Sequence, residues 1–375
     1  GTLKLVGMEF PKVRFQVKPV ARGWRADFSS KALDGYGILP RHIDLHPLEV
    51  RLKQLRLDTK VLLATESDRE DSASRPASEP MLDPRSLPAL DLRVDALWFG
   101  DKPFGKASLQ WHRSAWGIQI KEAAIRGDNL ELEAKGYWHQ VGNKDHSRFQ
   151  LVKGHVASLG QLQEDLGVQF GIAKAPLDIT GVFYWPQAPY ALELQDLSSE
   201  KLTLKMGSGV VTEVDPGVGR LVGLLSLQAL GKRLSLDFSD LFSKGLEFDR
   251  IEGQFEIKNG NAYTQNLIIT SPSAQILIVG RTGLAARDYD QLVTVVPRVS
   301  STLPLVGAIA GGPAVGVALV VTQGLFGEQV DRIIQSQYKL TGSWEEPIMK
   351  RMARGNARKK QEGERSSLMP DLPSR

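Results

Sequence analysis

Apolar and polar side chains alternate with a period of two along most of the chain, the mark of strands with one buried face. Leu90, Leu92, Val94, Ala96 and Trp98 fall on one side of such a segment, and Asp91, Arg93 and Asp95 on the other. Val13, Phe15 and Val17 alternate with Arg14, Gln16 and Lys18, and Leu130, Leu132 and Ala134 with Glu131, Glu133 and Lys135. The same spacing links Ile118 with Ile120, Leu202 with Leu204 and Met206, Phe255 with Ile257, and Ile276 with Ile278. Turn residues separate the runs, as at Gly127-Asp128-Asn129 and Lys258-Asn259-Gly260-Asn261, so the strands are expected to pair as antiparallel meanders. The predicted fold is mainly β, antiparallel strands with a few short helices and an apolar helical segment towards the C-terminus.

Three stretches break the alternation. Residues 66–88 hold four prolines, five serines and no aromatic residue, the composition of a disordered loop or linker. Leu159, Leu162 and Leu166 recur at helical spacing before Gly167, which predicts a short helix near 157–167. Leu221, Leu224, Leu225, Leu227 and Leu230 predict an apolar helix near 216–234, with Lys232 and Arg233 where the helix dipole favours cations. Strand pairs close on Gly136-Tyr137-Trp138, on Gly181 to Trp185 and on Gly342-Ser343-Trp344, a weak repeat that suits a sheet growing by units. The expected division is sheet strands over 1–65, the linker 66–88, sheet repeats over 89–215, a C-terminal region over 216–349 with apolar helices near 216–234 and 302–336, and a basic disordered tail over 350–375.

From Val299 to Gly327 no side chain is charged. A straight helix of that length would reach about 43 Å, enough to cross a bilayer. Pro304, Pro313 and the glycines between them oppose one straight helix. The unbroken part, 314–326, would reach only about 20 Å. Leu303, Leu305, Val306, Ile309, Val315, Val317, Leu319, Val320, Leu325 and Phe326 are therefore the candidates for membrane contact or for capping an apolar groove. Burial in an ordinary core and a true span are the alternatives.

The net charge of +4 changes little once it is located. Residues 350–375 hold eight of the 47 basic residues and three of the 43 acidic ones, leaving 39 and 40 in the rest of the chain. The basicity belongs to a tail and not to a groove, so no nucleic-acid partner is expected. Cysteine is absent, which removes disulfides, thiolate metal sites and a thiol nucleophile. The chain opens at Gly1 without a charged and then apolar leader, so any anchor or export signal is expected upstream.

Catalytic patterns are missing as well. His42 and His46 are four apart, but the glutamate of a His-Glu-x-x-His zinc motif is absent and Pro40 and Pro47 leave room for under two helical turns. Gly217, Gly219 and Gly223 lack dinucleotide-binding spacing. Asp237, Asp240, Glu247 and Asp249 suit turn and capping roles better than acid–base chemistry. No catalytic residue, metal or cofactor is expected.

The chain from Gly219 to Trp344 resembles the C-terminal region of YhdP-type AsmA-like proteins. The resemblance rests on Gly219-Arg220-Leu221, Leu234 to Phe242, Gly245 to Gly253, Gly260 to Thr264, Ser271 to Ala274, Asp288 to Pro297 and Tyr338 to Trp344, in that order. It covers about 130 residues densely, and Leu87 to Trp138 more loosely. It implies an inner-membrane-anchored envelope protein whose periplasmic body is an elongated curved antiparallel sheet, a repeating β-groove, with its C-terminal end towards the outer membrane. It further implies phospholipid transport that supports the outer-membrane permeability barrier, without catalysis. The partners implied are acyl chains, both membranes and, in a scaffold reading without lipid transfer, an envelope protein. The groove candidates are then Val13, Phe15, Val17, Leu90, Leu92, Val94, Trp98, Ile118, Ile120, Leu130, Leu132, Leu202, Leu204, Phe255, Ile257, Ile276 and Ile278. Alternation alone fits equally well a sandwich in which the same faces pack on a second sheet.

Overall fold

The computed structural model describes residues 3–5, 8–58, 82–168, 171–211, 246–297 and 336–352. The apolar helices expected near 216–234 and 302–336, all the membrane-contact candidates and most of the linker and tail lie outside these residues.

The architecture is one large curved sheet of seventeen strands. A four-strand meander opens it: β3 (Arg14–Val20), β4 (Gly23–Ser29), β5 (Leu33–Pro40) and β6 (Leu48–Leu57). Then follow β7 (Leu90–Phe99), β8 (Lys102–Ser114), β9 (Gly117–Arg126), β10 (Leu130–Val141) and β11 (Lys144–Val156). The order continues through β13 (Leu177–Trp185), β14 (Ser198–Met206), β17 (Arg250–Lys258), β18 (Asn261–Thr270) and β19 (Ala274–Gly283). It finishes with β20 (Asp288–Pro297), β21 (Ser336–Ser343) and β22 (Pro347–Arg351). Each strand pairs antiparallel with the next, except that β6 and β7 run parallel. No ladder joins β22 back to β3 among the described residues, so the sheet curls without closing.

Two local features of the sequence explain this shape. The Asn259-Gly260 turn has φ +46° and +70°, the mirror-image turn geometry whose twist matches antiparallel strands. Register shifts interrupt the pairing of β7 with β8, β10 with β11, β13 with β14 and β17 with β18, among others. Each shift inserts a bulge that bends its strand and increases the twist; repeated from strand to strand, they curve the whole sheet.

The strand ends define two rims. The upper rim carries the β3–β4, β5–β6, β8–β9, β10–β11, β13–β14, β17–β18, β19–β20 and β21–β22 connections and the approach to β7; the lower rim carries the others. On the lower rim, helix α1 (Leu159–Leu166) starts where the Ser158 hydroxyl accepts from the Gln161 amide and stops at left-handed Gly167. Beside it lies a small three-stranded sheet of β12 (Ile172–Ala173), β15 (Gly209–Val211) and β16 (Leu246–Phe248). A separate hairpin, β1 (Leu3–Leu5) with β2 (Met8–Phe10), precedes the large sheet.

Candidate functional site

Residues directly opposite one another in neighbouring strands share a face, so the register identifies the apolar surface. One row runs Phe15, Phe28, Gly35, Leu52, Val94, Ala107, Ile125 and Leu132 from β3 to β10. It continues through Gly154, Ile179, Leu204 and Gly253 to β17. A second row runs Leu202, Phe255, Thr264, Gly280, Gln291, Leu340 and Met349 from β14 to β22. Its polar members are satisfied from within, Gln291 Nε2 donating to Thr282 Oγ1 at 2.7 Å and Thr264 Oγ1 to the Gln254 carbonyl at 2.8 Å.

The opposite face is charged. Arg51 pairs with Asp91 at 2.5 Å, Arg126 with Glu122 at 2.9 Å, and Arg281 with Asp288 at 2.7 Å. A hydrogen bond from Ser108, then one from Arg126, holds the Glu122 carboxyl below its ordinary range, and the Arg281 hydrogen bonds do the same for Asp288. His139 also lies on this side, and burial, then the nearby His146, lowers its pKa.

Exposure of the apolar face changes along the sheet. On β3, Phe15 is 68% and Val17 52% exposed. From β6 to β13 many of its residues are half-buried, among them Val50, Leu92, Ala107, Ile125, Leu130, Leu132 and Ile179. From β14 onwards it is shut: Leu202, Leu204, Phe255 and Ile257 are buried, and Ile276, Ile278, Val293 and Tyr338 are 0% exposed. Val13, Val94, Ile118 and Ile120 are buried as well.

The sequence-predicted residues share one face with one exception. Val94 pairs with Leu52 on β6, but the next register pair is Leu97 with Leu55. The two pairs lie three positions apart, an odd step, so the alternation changes sides: Leu97 and Phe99 enter the core, and Trp98 turns to the charged face beneath the Arg56 guanidinium, 4.5 Å from the ring centroid. Leu97 and Phe99 escape sequence reading because Leu97-Trp98-Phe99 is apolar in both phases. Val293 and Val295 are hidden for the same reason, within Leu292-Val293-Thr294-Val295-Val296.

The rims close the face unequally. On the lower rim, Leu159 and Leu162 of α1, Ile172 and Phe248 of the small sheet, and Ala175 just after β12 join the main core. Near the upper rim, Leu87 and Ala188 lie against Ile118, Ile120 and Trp138, Pro84 is buried, and the Trp111 indole donates to the Pro88 carbonyl at 2.8 Å. The last residues of the 66–88 stretch therefore rest on the apolar face. His42 and His46 are exposed in the β5–β6 loop. Among the described residues no cluster of His, Asp and Glu is arranged to hold a metal, and no helix is long and apolar enough to cross a membrane.

Such a surface can hold aliphatic chains by removing them from water. A family model described as YhdP protein matches residues 1–349. Among curated proteins, the intermembrane phospholipid transporter YhdP of Escherichia coli (strain K12) is 27% identical over 293 residues, which are 77% of this chain and 23% of that relative. The chain thus spans about a quarter of the length of the relative it matches. No solved structure matches.

Proposed function

From the premise that the chain belongs to the YhdP family, we propose that its apolar sheet face is a segment of a repeating β-groove that carries phospholipid acyl chains between the inner and outer membranes. The observation that carries this reading is the apolar row from Phe15 to Gly253, unbroken over twelve strands, exposed at Phe15 and only partly buried at Phe28, Ala107, Ile125, Leu132 and Ile179. A phospholipid leaving a bilayer exposes some 30 methylenes, at a cost of roughly 24 kcal/mol in water at about 0.8 kcal/mol each. An apolar path with a solvated outer face removes that cost and requires no bond to be made or broken. The relative's description as an intermembrane phospholipid transporter supports the same cargo. In this reading the protein is periplasmic and anchored in the inner membrane by a segment of the longer chain, and its C-terminal end points to the outer membrane. The uncharged run 299–327 meets the membrane or caps the groove there.

A second reading is favoured by the shut face from β14 to β22: a scaffold of envelope assembly whose groove is filled by its own side chains and which binds an envelope protein. Solvent extraction and mass spectrometry of the purified chain separate the two. Transport predicts co-purifying phospholipid, reduced several-fold in Ala107→Arg, which puts a charge where acyl chains would lie. Wild-type chain free of lipid would sink the conduit and leave the scaffold.

A further inference from the structure

Nearly all the large apolar side chains that the described residues expose lie at one end of the strands. Trp24, Leu45, Trp116, Val141 and Tyr190 are examples, and only Phe15, Val17 and Val152 lie elsewhere. Leu45 is 76%, Trp116 58% and Trp24 52% exposed. The lower rim, by contrast, buries its apolar ends beneath α1 and the small sheet.

Charge divides this upper rim further. Between β3 and β11 it carries Arg22, Arg41, Arg85, Arg113 and Lys144 against Asp44 and Asp83. Arg85 pairs with Asp83 at 2.8 Å and Arg113 pairs with Asp44. Asp145 is buried and accepts from the Trp138 indole. Arg22, Arg41 and Lys144 have no carboxylate partner among the described residues, and His42, His46, His112 and His146 stand exposed between them. Beyond β13 the rim is more acidic, with Glu193, Asp196, Glu345 and Glu346 against Arg287, while Lys258 pairs with Glu256.

We propose that the upper rim from β3 to β11 is a docking surface for an anionic lipid bilayer. Nine strands at their usual spacing give it a length of about 40 Å. Its apolar side chains are spread over several turns, Trp24 and Leu39 as a cross-strand pair, Ile43 and Leu45 from one loop, Trp116 and Val141 from others, with cations among them. A protein partner calls for a packed apolar centre ringed by polar groups. A headgroup layer accepts scattered tryptophan and leucine anchors, and its phosphates attract the arginines. The docking lays the strand ends of β3 to β11 along the membrane, with the partly buried stretch of the apolar face beside the headgroups, and leaves the passage between membranes to the rest of the longer groove. It concerns the rim and not the cargo, and holds even for an empty groove.

The test is co-flotation of the full 375-residue chain with vesicles of phosphatidylglycerol or of phosphatidylcholine. Wild type is expected to float with the anionic vesicles, less with the neutral ones, and less again at high salt. Trp116→Ser with Leu45→Ser, and separately Arg22→Glu with Arg41→Glu, each reduce binding about tenfold. The lower-rim pair Lys31→Glu with Lys102→Glu leaves it within twofold. Trp116→Phe also removes part of the lipid-induced blue shift of tryptophan emission. All these side chains are exposed, and circular dichroism checks each fold. The proposal is overturned if wild type ignores anionic vesicles, if neither upper-rim pair weakens binding, or if the lower-rim pair weakens it equally. Phospholipid retained by the same preparations is measured in parallel: the upper-rim variants are expected to lose flotation and keep cargo, whereas a wild-type chain that floats but carries no phospholipid counts against transport and not against docking.

Discussion

Gly260 shows how little room a single residue leaves. Its φ is +70°, and a Cβ there would sit 2.4 Å from the Leu194 carbonyl oxygen and 2.8 Å from the Gln195 Cα. Gly260→Ala therefore meets both backbone strain and a backbone clash, and is expected to cost about 1–3 kcal/mol in urea unfolding. Across the neighbouring hairpin Arg281 grips Asp288 with two parallel hydrogen bonds of 2.8 and 2.7 Å. Because these lower the folded pKa of Asp288 below its unfolded value, the contribution is complete above the ordinary carboxylate pKa near 4 and is lost as pH falls through the folded value. Urea midpoints of wild type and Asp288→Asn should therefore converge as the pH drops below about 4, and differ most at neutral pH.

Single elements show what could be read from the chain and what could not. The Asn259-Gly260 hairpin was legible because mirror-image turns, whose twist suits paired strands, favour those two residues, and the charged face was legible where polar side chains alternate cleanly, as at Arg14, Gln16 and Lys18. The side change within β7 was not. Leu90 to Phe99 keeps a plausible alternation past Val94, and only the parallel partner β6 decides that Leu97, not Ala96, faces inward. Leu97→Ala should consequently cost about 2–4 kcal/mol, as for a leucine truncated in a core, whereas Ala96→Ser should change urea stability by less than about 0.5 kcal/mol. Helix α1 has a comparably local dependence. Ser158 caps it while its own backbone is held by the Asn129 side-chain amide, whose Nδ2 donates to the Ser158 carbonyl and whose Oδ1 accepts from the Ser158 N–H, and Ser158→Ala should lose about 1 kcal/mol.

Over the whole molecule the main variable is how far the apolar face is covered, and no local pattern encodes it. Phe15 and Ile278 occupy equivalent places in alternating strands, yet one is 68% and the other 0% exposed. The difference arises from the curl of the sheet and from elements distant in sequence. The chain has no cysteine, so thiols introduced singly can map this cover without background. Val17→Cys should react at nearly the rate of a free thiol, Leu92→Cys more slowly, and Ile278→Cys only when the fold opens.

The one parallel step, between β6 and β7, has a consequence for parity. A plain hairpin there would have reversed every later strand and sent Trp116 and Tyr190 to the side opposite Arg41 and Leu45. By returning to the level from which β6 set out before continuing, the chain keeps the same polarity before and after the step. A sheet assembled mostly from up-and-down pairs can thus be joined at such a step without exchanging its two margins.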